Sequence, residues 1–174
     1  IRFMRRYAEL AAAKLSDHED SEVEDNLSEI RDICLRLAGH PPVTFREALQ
    51  SVWFLFVMLH MESNASSFSP GRMDQYLLPY FQKDLAEGTL DLDSALELID
   101  ALFIKFNQIV YMRNAHSARY FAGFPIGFNV AMGGQTIHGE DATNTLSYLC
   151  LKAQDHIGLP QPNLTARLHK GSPH

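Results

Sequence analysis

The sequence predicts an α/β chain, a helical layer followed by one strand–helix–strand unit. Three observations carry this. Apolar residues recur at helical spacing through the first 112 residues or so. The period then switches to alternation at 128–132 and again at 163–169. About 40 residues hold the two alternating runs and the helix between them, the size of a βαβ unit, whose strands are parallel with a right-handed crossover.

Taken in order, Ile1 to Leu15 has helical spacing and good helix formers, Ala11 to Ala13 among them. Glu22 to Leu37 places Val23, Leu27, Ile30, Cys34 and Leu37 on one face, and Gly39 and Pro41-Pro42 close it. Thr44 at N-cap and Glu47 at N3 form a capping box that opens a helix from Phe45 to about Met61. That helix is apolar almost all round, which predicts burial among other elements. Gln75 to Glu87 reads as a short helix stopped by Gly88. Asp93-Ser94 opens a long apolar helix, Ala95 to about Met112, and Asn114 to Gly127 reads as a loop. Phe128 to Met132 is a strand ending at Gly133-Gly134. Asp141 caps a helix carrying Leu146, Leu149, Cys150, Ala153 and Ile157. In the last run Leu164, Ala166 and Leu168 share one side, and Asn163, Thr165, Arg167 and His169 the other.

Bulk properties narrow the function. Hydrophobic residues make up 46% of the chain, which supports a sizeable core and excludes disorder. The net charge of −6 is local: Ser16 to Asp32 holds eight acids against Arg31, a net −7 that leaves the rest at +1. This is a solvated helix start, with no basic stripe for nucleic acid. Cys34 and Cys150 are too few and too far apart for a disulfide framework or a zinc site, and a reduced cytoplasmic setting fits them. No apolar run is long enough to span a membrane. The chain begins at Ile1, inside a helix, and stops just after a strand, so it reads as a piece of a longer protein.

Candidate chemistry is sparse. Eight unbroken apolar residues, Val52 to Leu59, give way to Glu62-Ser63-Asn64-Ala65-Ser66-Ser67-Phe68-Ser69-Pro70-Gly71. Small hydroxyls and an amide beside a buried helix suit a pocket for a substrate rich in oxygens. Composition alone favours an ordinary helix exit with Ser/Asn turn bonding. Gly133-Gly134 has neither phosphate-loop fingerprint and reads as a tight turn. The histidines are scattered: His60 lies in a core helix, and His169 shares a strand side with Arg167 but has no partner visible in sequence. Both cysteines sit among Leu and Ile as inert buried thiols.

Three segments taken together resemble the glycyl radical enzymes of the pyruvate formate-lyase-like group. They are "PPVTFREALQSVWFLFVMLHMESNASSFSPGRMDQYLLPYFQKDL" (41–85), "FNVAMGGQTIHGEDATNTLSYLCLKA" (128–153) and "LPQPNLTARLHKGSP" (159–173). They keep the family's order, and the resemblance covers nearly the whole chain. The resemblance implies that residues 1–174 belong to one domain: helices over 1–112, and over 128–169 the first strand–helix–strand unit of a ten-stranded barrel. It implies a radical on a backbone glycine, installed by an activating partner with an iron–sulfur cluster and S-adenosylmethionine. A cysteine thiyl then abstracts hydrogen from a small-molecule substrate. That glycine and that cysteine, in a Cys-x-Glu context, lie beyond His174 in the family's order, so no catalytic residue and no bound cofactor or metal is expected within this chain. A homodimer and an anaerobic cytoplasm are the family's usual setting. One substrate loop carries over. Where glycerol-dehydratase-like members read Glu-Ser-Asn-Gly-His-Ser, with the His and last Ser on substrate hydroxyls, this chain has Ser66 and Ser67. Ser67 matches, Ser66 replaces the His, and Ala65 replaces the Gly, which puts glycerol itself in doubt. An aromatic leading into the strand also packs on substrate in relatives, and Phe124 or Phe128 is the candidate here. The function expected is a lyase or dehydratase for a small hydroxylated or aminated substrate. The alternatives are a pyruvate formate-lyase type acyl transferase and a non-catalytic truncated scaffold.

Overall fold

A computed structural model describes residues 1–15, 20–63, 68–109, 114–121 and 126–172. The helical layer comprises α1 (Arg2–Leu15), α2 (Ser21–Leu37), α3 (Phe45–Ser63), α4 (Met73–Tyr76), α5 (Leu78–Glu87), α6 (Leu92–Asn107) and α7 (Ala115–Phe121). Then come β1 (Asn129–Gly133), α8 (Thr145–Ile157) and β2 (Asn163–Arg167). Helices followed by a parallel pair is the predicted architecture.

Helix α3 is the centre of the layer. Its capping box forms as predicted: the Glu47 amide donates to Thr44 Oγ1 at 3.2 Å, and Glu47 Oε2 accepts from the Val43 amide at 2.7 Å. Arg36 of α2 holds the same carboxylate at 3.0 Å. Phe54 and Phe56, two residues apart, point to opposite sides. Phe54 joins Ala8, Ile33, Cys34 and Leu37 under α1 and α2. Phe56 joins the larger core, with Phe45, Phe81, Phe103, Phe106 and Phe128. Burial on all sides is not what the structure shows. Leu55 and Leu59, four residues apart, lie on a third side that stays exposed, Leu55 at 58%, because the described elements pack on only two faces of the helix.

Local punctuation differs from expectation in four places. Gln75 to Glu87 is two helices, because the chain bends at Leu77 just before Pro79, which takes the first turn of α5. The long helix starts earlier, with Asp91 as N-cap accepting from the Ser94 amide at 2.7 Å. The predicted loop 114–127 contains α7. Asn144, not Asp141, caps α8, and Ser147 completes a capping box with it.

The two strands pair in parallel, Asn129 opposite Asn163 through Gly133 opposite Arg167. Val130 and Met132 lie on the helix side of the sheet and are buried, and Leu164 packs on the same core. Asn129, Asn163, Thr165 and Arg167 lie on the other side, exposed. The sheet therefore has a helix-backed apolar side and an open polar side. Gln161 braces its start: the side chain accepts the Phe128 amide at 3.2 Å, and its carbonyl accepts Asn107 Nδ2 at 2.6 Å.

Candidate functional site

The polar side of the sheet and the exit of the serine-rich segment meet at the free edge of β1. Gly71 forms a parallel bridge with Val130. Ser69 Oγ donates to the Asn129 carbonyl, and Tyr76 Oη holds the Pro70 carbonyl at 2.9 Å. Arg72 reaches further along the strand, donating through Nη2 to the Gly133 carbonyl and through Nη1 to the Gln135 carbonyl at 3.1 Å. Residues 69–72 thus run beside β1 in the same direction, as a short third strand would.

Asp74 completes the attachment. It is 1% exposed, and its Oδ2 accepts from the Gly133 amide at 2.7 Å and from Ser147 Oγ at 2.6 Å. Its backbone carbonyl accepts from Asn144 Nδ2 at 3.0 Å. One carboxylate therefore joins α4, the end of β1 and the start of α8. A buried charge is tolerated when strong donors surround it. The other oxygen, Oδ1, has no hydrogen-bond partner among the described residues, and neither does Nε of Arg72.

Gly133 and Gly134 both have positive φ, 65° and 82°. A Cβ on Gly133 would stand 3.1 Å from Thr143 Oγ1, and one on Gly134 3.2 Å from Cβ of Arg167. Glycine is required here by backbone conformation and by crowding together. The Gly133 amide is committed to Asp74, so the turn reading holds against a phosphate cradle. Arg167 lies over Gly134 on the open side. Among the described residues its side chain has no hydrogen bond or ion pair.

Past the strand ends, His169 Nε2 donates to Asp141 Oδ1 at 2.9 Å, and the Gly171 amide donates to His169 Nδ1 at 3.2 Å. Nε2 thereby donates one hydrogen bond and Nδ1 accepts the other. The His169 hydrogen bond, followed by that from Thr143, holds the Asp141 carboxyl below its ordinary range. A depressed carboxylate stabilises the fold fully above its unfolded value, about 4, and that contribution disappears as pH falls through the lower folded value. The difference in unfolding free energy between wild type and Asp141→Asn should therefore shrink as pH falls below about 4. A difference unchanged on acidification below about pH 4 would contradict this pairing.

Of the predicted site residues, Ser66, Ser67 and Phe124 lie outside the described residues. The fourth, Phe128, is placed in the core. It is 2% exposed, on the helix side of the sheet, with its ring centroid 4.9 Å from that of Phe56 and 5.2 Å from that of Phe106. Alternation puts it in phase with Val130 and Met132, away from the open face. Cys34 and Cys150 are buried as predicted. Burial pushes the Cys34 thiol up to about 11 and the Cys150 thiol, which also feels Asp74, up to about 12. His60 is a core histidine, its Nδ1 donating to the Phe56 carbonyl at 2.7 Å. It borders a cavity of about 750 Å³ between α2, α3 and α6 whose lining carries no carboxylate. Among the described residues no cluster of metal-ligating side chains occurs, and no helix is long and apolar enough to cross a membrane. Arg72 and Asp74 went unmarked in the sequence, although a signal existed. Asp74 shares a helical face with Leu77, Leu78 and Phe81, and a carboxylate on an apolar face is a buried, partnered one.

Comparison with known proteins places this geometry. The profile described as pyruvate formate lyase-like matches residues 1–174. Isethionate sulfite-lyase of Nitratidesulfovibrio vulgaris is 38% identical over 99% of this chain and 21% of its own length. A Roseburia inulinivorans structure concerned with 1,2-propanediol dehydration superposes with a TM-score of 0.93 at 42% identity, over 98% of this chain and 20% of that one. The glycerol-bound, B12-independent glycerol dehydratase of Clostridium butyricum gives 0.92 at 38% identity, over 98% of this chain and 21% of that one. The chain spans about a fifth of the length of these relatives.

Proposed function

Since this chain belongs to the pyruvate formate lyase-like family, we propose that the protein it forms part of is a glycyl radical lyase or dehydratase for a small hydroxylated or aminated substrate. The observation that carries the reading is the attachment of residues 69–72 along the free edge of β1. It brings the exit of the serine-rich segment to the polar side of the sheet, where Asn129, Asn163, Thr165 and Arg167 offer amide, hydroxyl and guanidinium groups. Those groups suit hydroxyl and anionic oxygens. In this reading Ser66 and Ser67 contact substrate hydroxyls. The dehydratases and the sulfite-lyase among the relatives favour elimination from a substrate radical over acyl transfer.

The radical glycine and the thiyl cysteine are assigned to parts of the protein beyond this chain. Cys34 and Cys150 do not fit the thiyl role, since both are buried on the helical side. The activating partner is an S-adenosylmethionine and iron–sulfur enzyme, and the setting is anaerobic.

The test is direct. The full-length protein is activated anaerobically by its activating enzyme, and the radical is counted by EPR. It is then offered 1,2-propanediol, glycerol, isethionate and trans-4-hydroxy-L-proline, with pyruvate plus coenzyme A as the rival. Turnover of a hydroxylated compound is expected, with glycerol a poor substrate because Ser66 replaces a histidine. A radical-bearing enzyme that only exchanges pyruvate and coenzyme A would overturn the reading.

A further inference from the structure

We propose that Arg72 and Asp74 act as one clamp on the peptide at Gly133, and that this clamp positions the open face for substrate. The inference rests on the lyase or dehydratase reading for its kinetic part only. The two side chains take both polar groups of one residue. Asp74 Oδ2 accepts the Gly133 amide at 2.7 Å, and Arg72 Nη2 donates to the Gly133 carbonyl. Arg72 also holds the next turn at Gln135, 3.1 Å away. Both clamping residues come straight after Gly71, which bridges to Val130. One short stretch therefore fixes β1 near its start and at its end.

The consequence reaches the open face through Gly134. The Arg167 side chain packs on that glycine so closely that a Cβ there would meet its Cβ at 3.2 Å and its Nε at 3.4 Å. Where Gly133 and Gly134 stand decides where the Arg167 guanidinium stands. Arg72 and Asp74 do not lie on the polar face themselves, so they are positioning residues. Their chemistry is specific. Two separate nitrogens held in one plane reach the two carbonyls, whereas lysine offers a single nitrogen on a shorter stem. Only an oxygen in the Oδ2 place receives both the Gly133 amide and the Ser147 hydroxyl. Asparagine supplies that oxygen and puts its amide nitrogen where Oδ1 is unpartnered, so D74N keeps both bonds and D74A loses both.

The experiment compares R72K, D74A and D74N in the full-length enzyme, with rates expressed per radical counted. R72K and D74A should raise KM about tenfold or more with kcat changed less than about threefold, and D74N should recover most of the loss. Hydrogen exchange over peptides 68–77 and 129–136 should quicken by about tenfold in R72K and D74A and stay near wild type in D74N. Equal KM in all variants, or D74N as damaged as D74A, would overturn the clamp. Should wild type turn over none of the offered substrates, the functional reading fails. Hydrogen exchange still decides the clamp, since unchanged protection in R72K and D74A would overturn it without any assay of activity.

Discussion

Replacing Phe128 by alanine should destabilise the protein by about 3–5 kcal/mol, the range for emptying a buried aromatic site. The ring is 2% exposed and closes a triangle with Phe56 and Phe106, whose own centroids are 4.7 Å apart. Three rings at these separations gain from edge and tilted contacts beyond the area they bury. The cavity would open between α3, α6 and the start of β1, where three elements meet and none can collapse alone. Leucine should cost much less, about 1–1.5 kcal/mol, because it keeps most of the volume. Denaturant titration of the full-length protein measures both. Stability intact in Phe128→Ala, with catalytic efficiency lost, would return this residue to the substrate side and refute its assignment to the core.

Asp84→Ala should cost about 2 kcal/mol, within the range for orphaning a buried donor. Asp84 is on α5 but serves α3: its Oδ2 accepts the amide of Phe45, 39 residues earlier, at 2.7 Å. That amide is one of the free donors at the start of the helix, where a negative charge is also favoured. Phe45 is fully buried, so water cannot replace the carboxylate. Lys83 stands 3.5 Å from the other oxygen but is exposed and adds little. Asp84→Asn keeps the acceptor and loses the charge, so it should cost less than half as much. Equal losses for Ala and Asn would mean that charge alone matters, and the hydrogen bond would be dismissed.

Most of the fold was legible because its signals are local. The capping box at Thr44–Glu47, the stop at Gly88 and the alternation at 128–132 and 163–167 each depend on residues a few positions apart. The failures share a cause. Asp141 looked like a helix cap because an acid stood before an apolar periodic run. Asn144 stood closer, and Asp141 was drawn off by His169, 28 residues away. Asp91 prevailed over Asp93-Ser94 because its side chain reaches the Ser94 amide from an extended residue. Phe128 was ambiguous because an aromatic next to a strand fits a pocket wall and a core equally well. Only the phase of the strand, fixed by the helices packed behind it, separates the two. The polar side of the sheet could be read from alternation. Its attachment to Arg72 and Asp74 could not, since those partners lie about 60 positions apart in sequence.

That separation has a consequence for the order of assembly on the ribosome. The segment 69–74 is synthesised long before β1, and it already carries the groups that β1 needs on one edge. When β1 emerges it can dock on this waiting edge at once, without β2. Contacts this distant are slow to form in a free chain, because closing the loop comes before any bond is gained. Vectorial synthesis removes part of that delay, since the segment is complete before β1 emerges. Refolding from denaturant has no such order, and it should lag behind synthesis most at the step that seats β1.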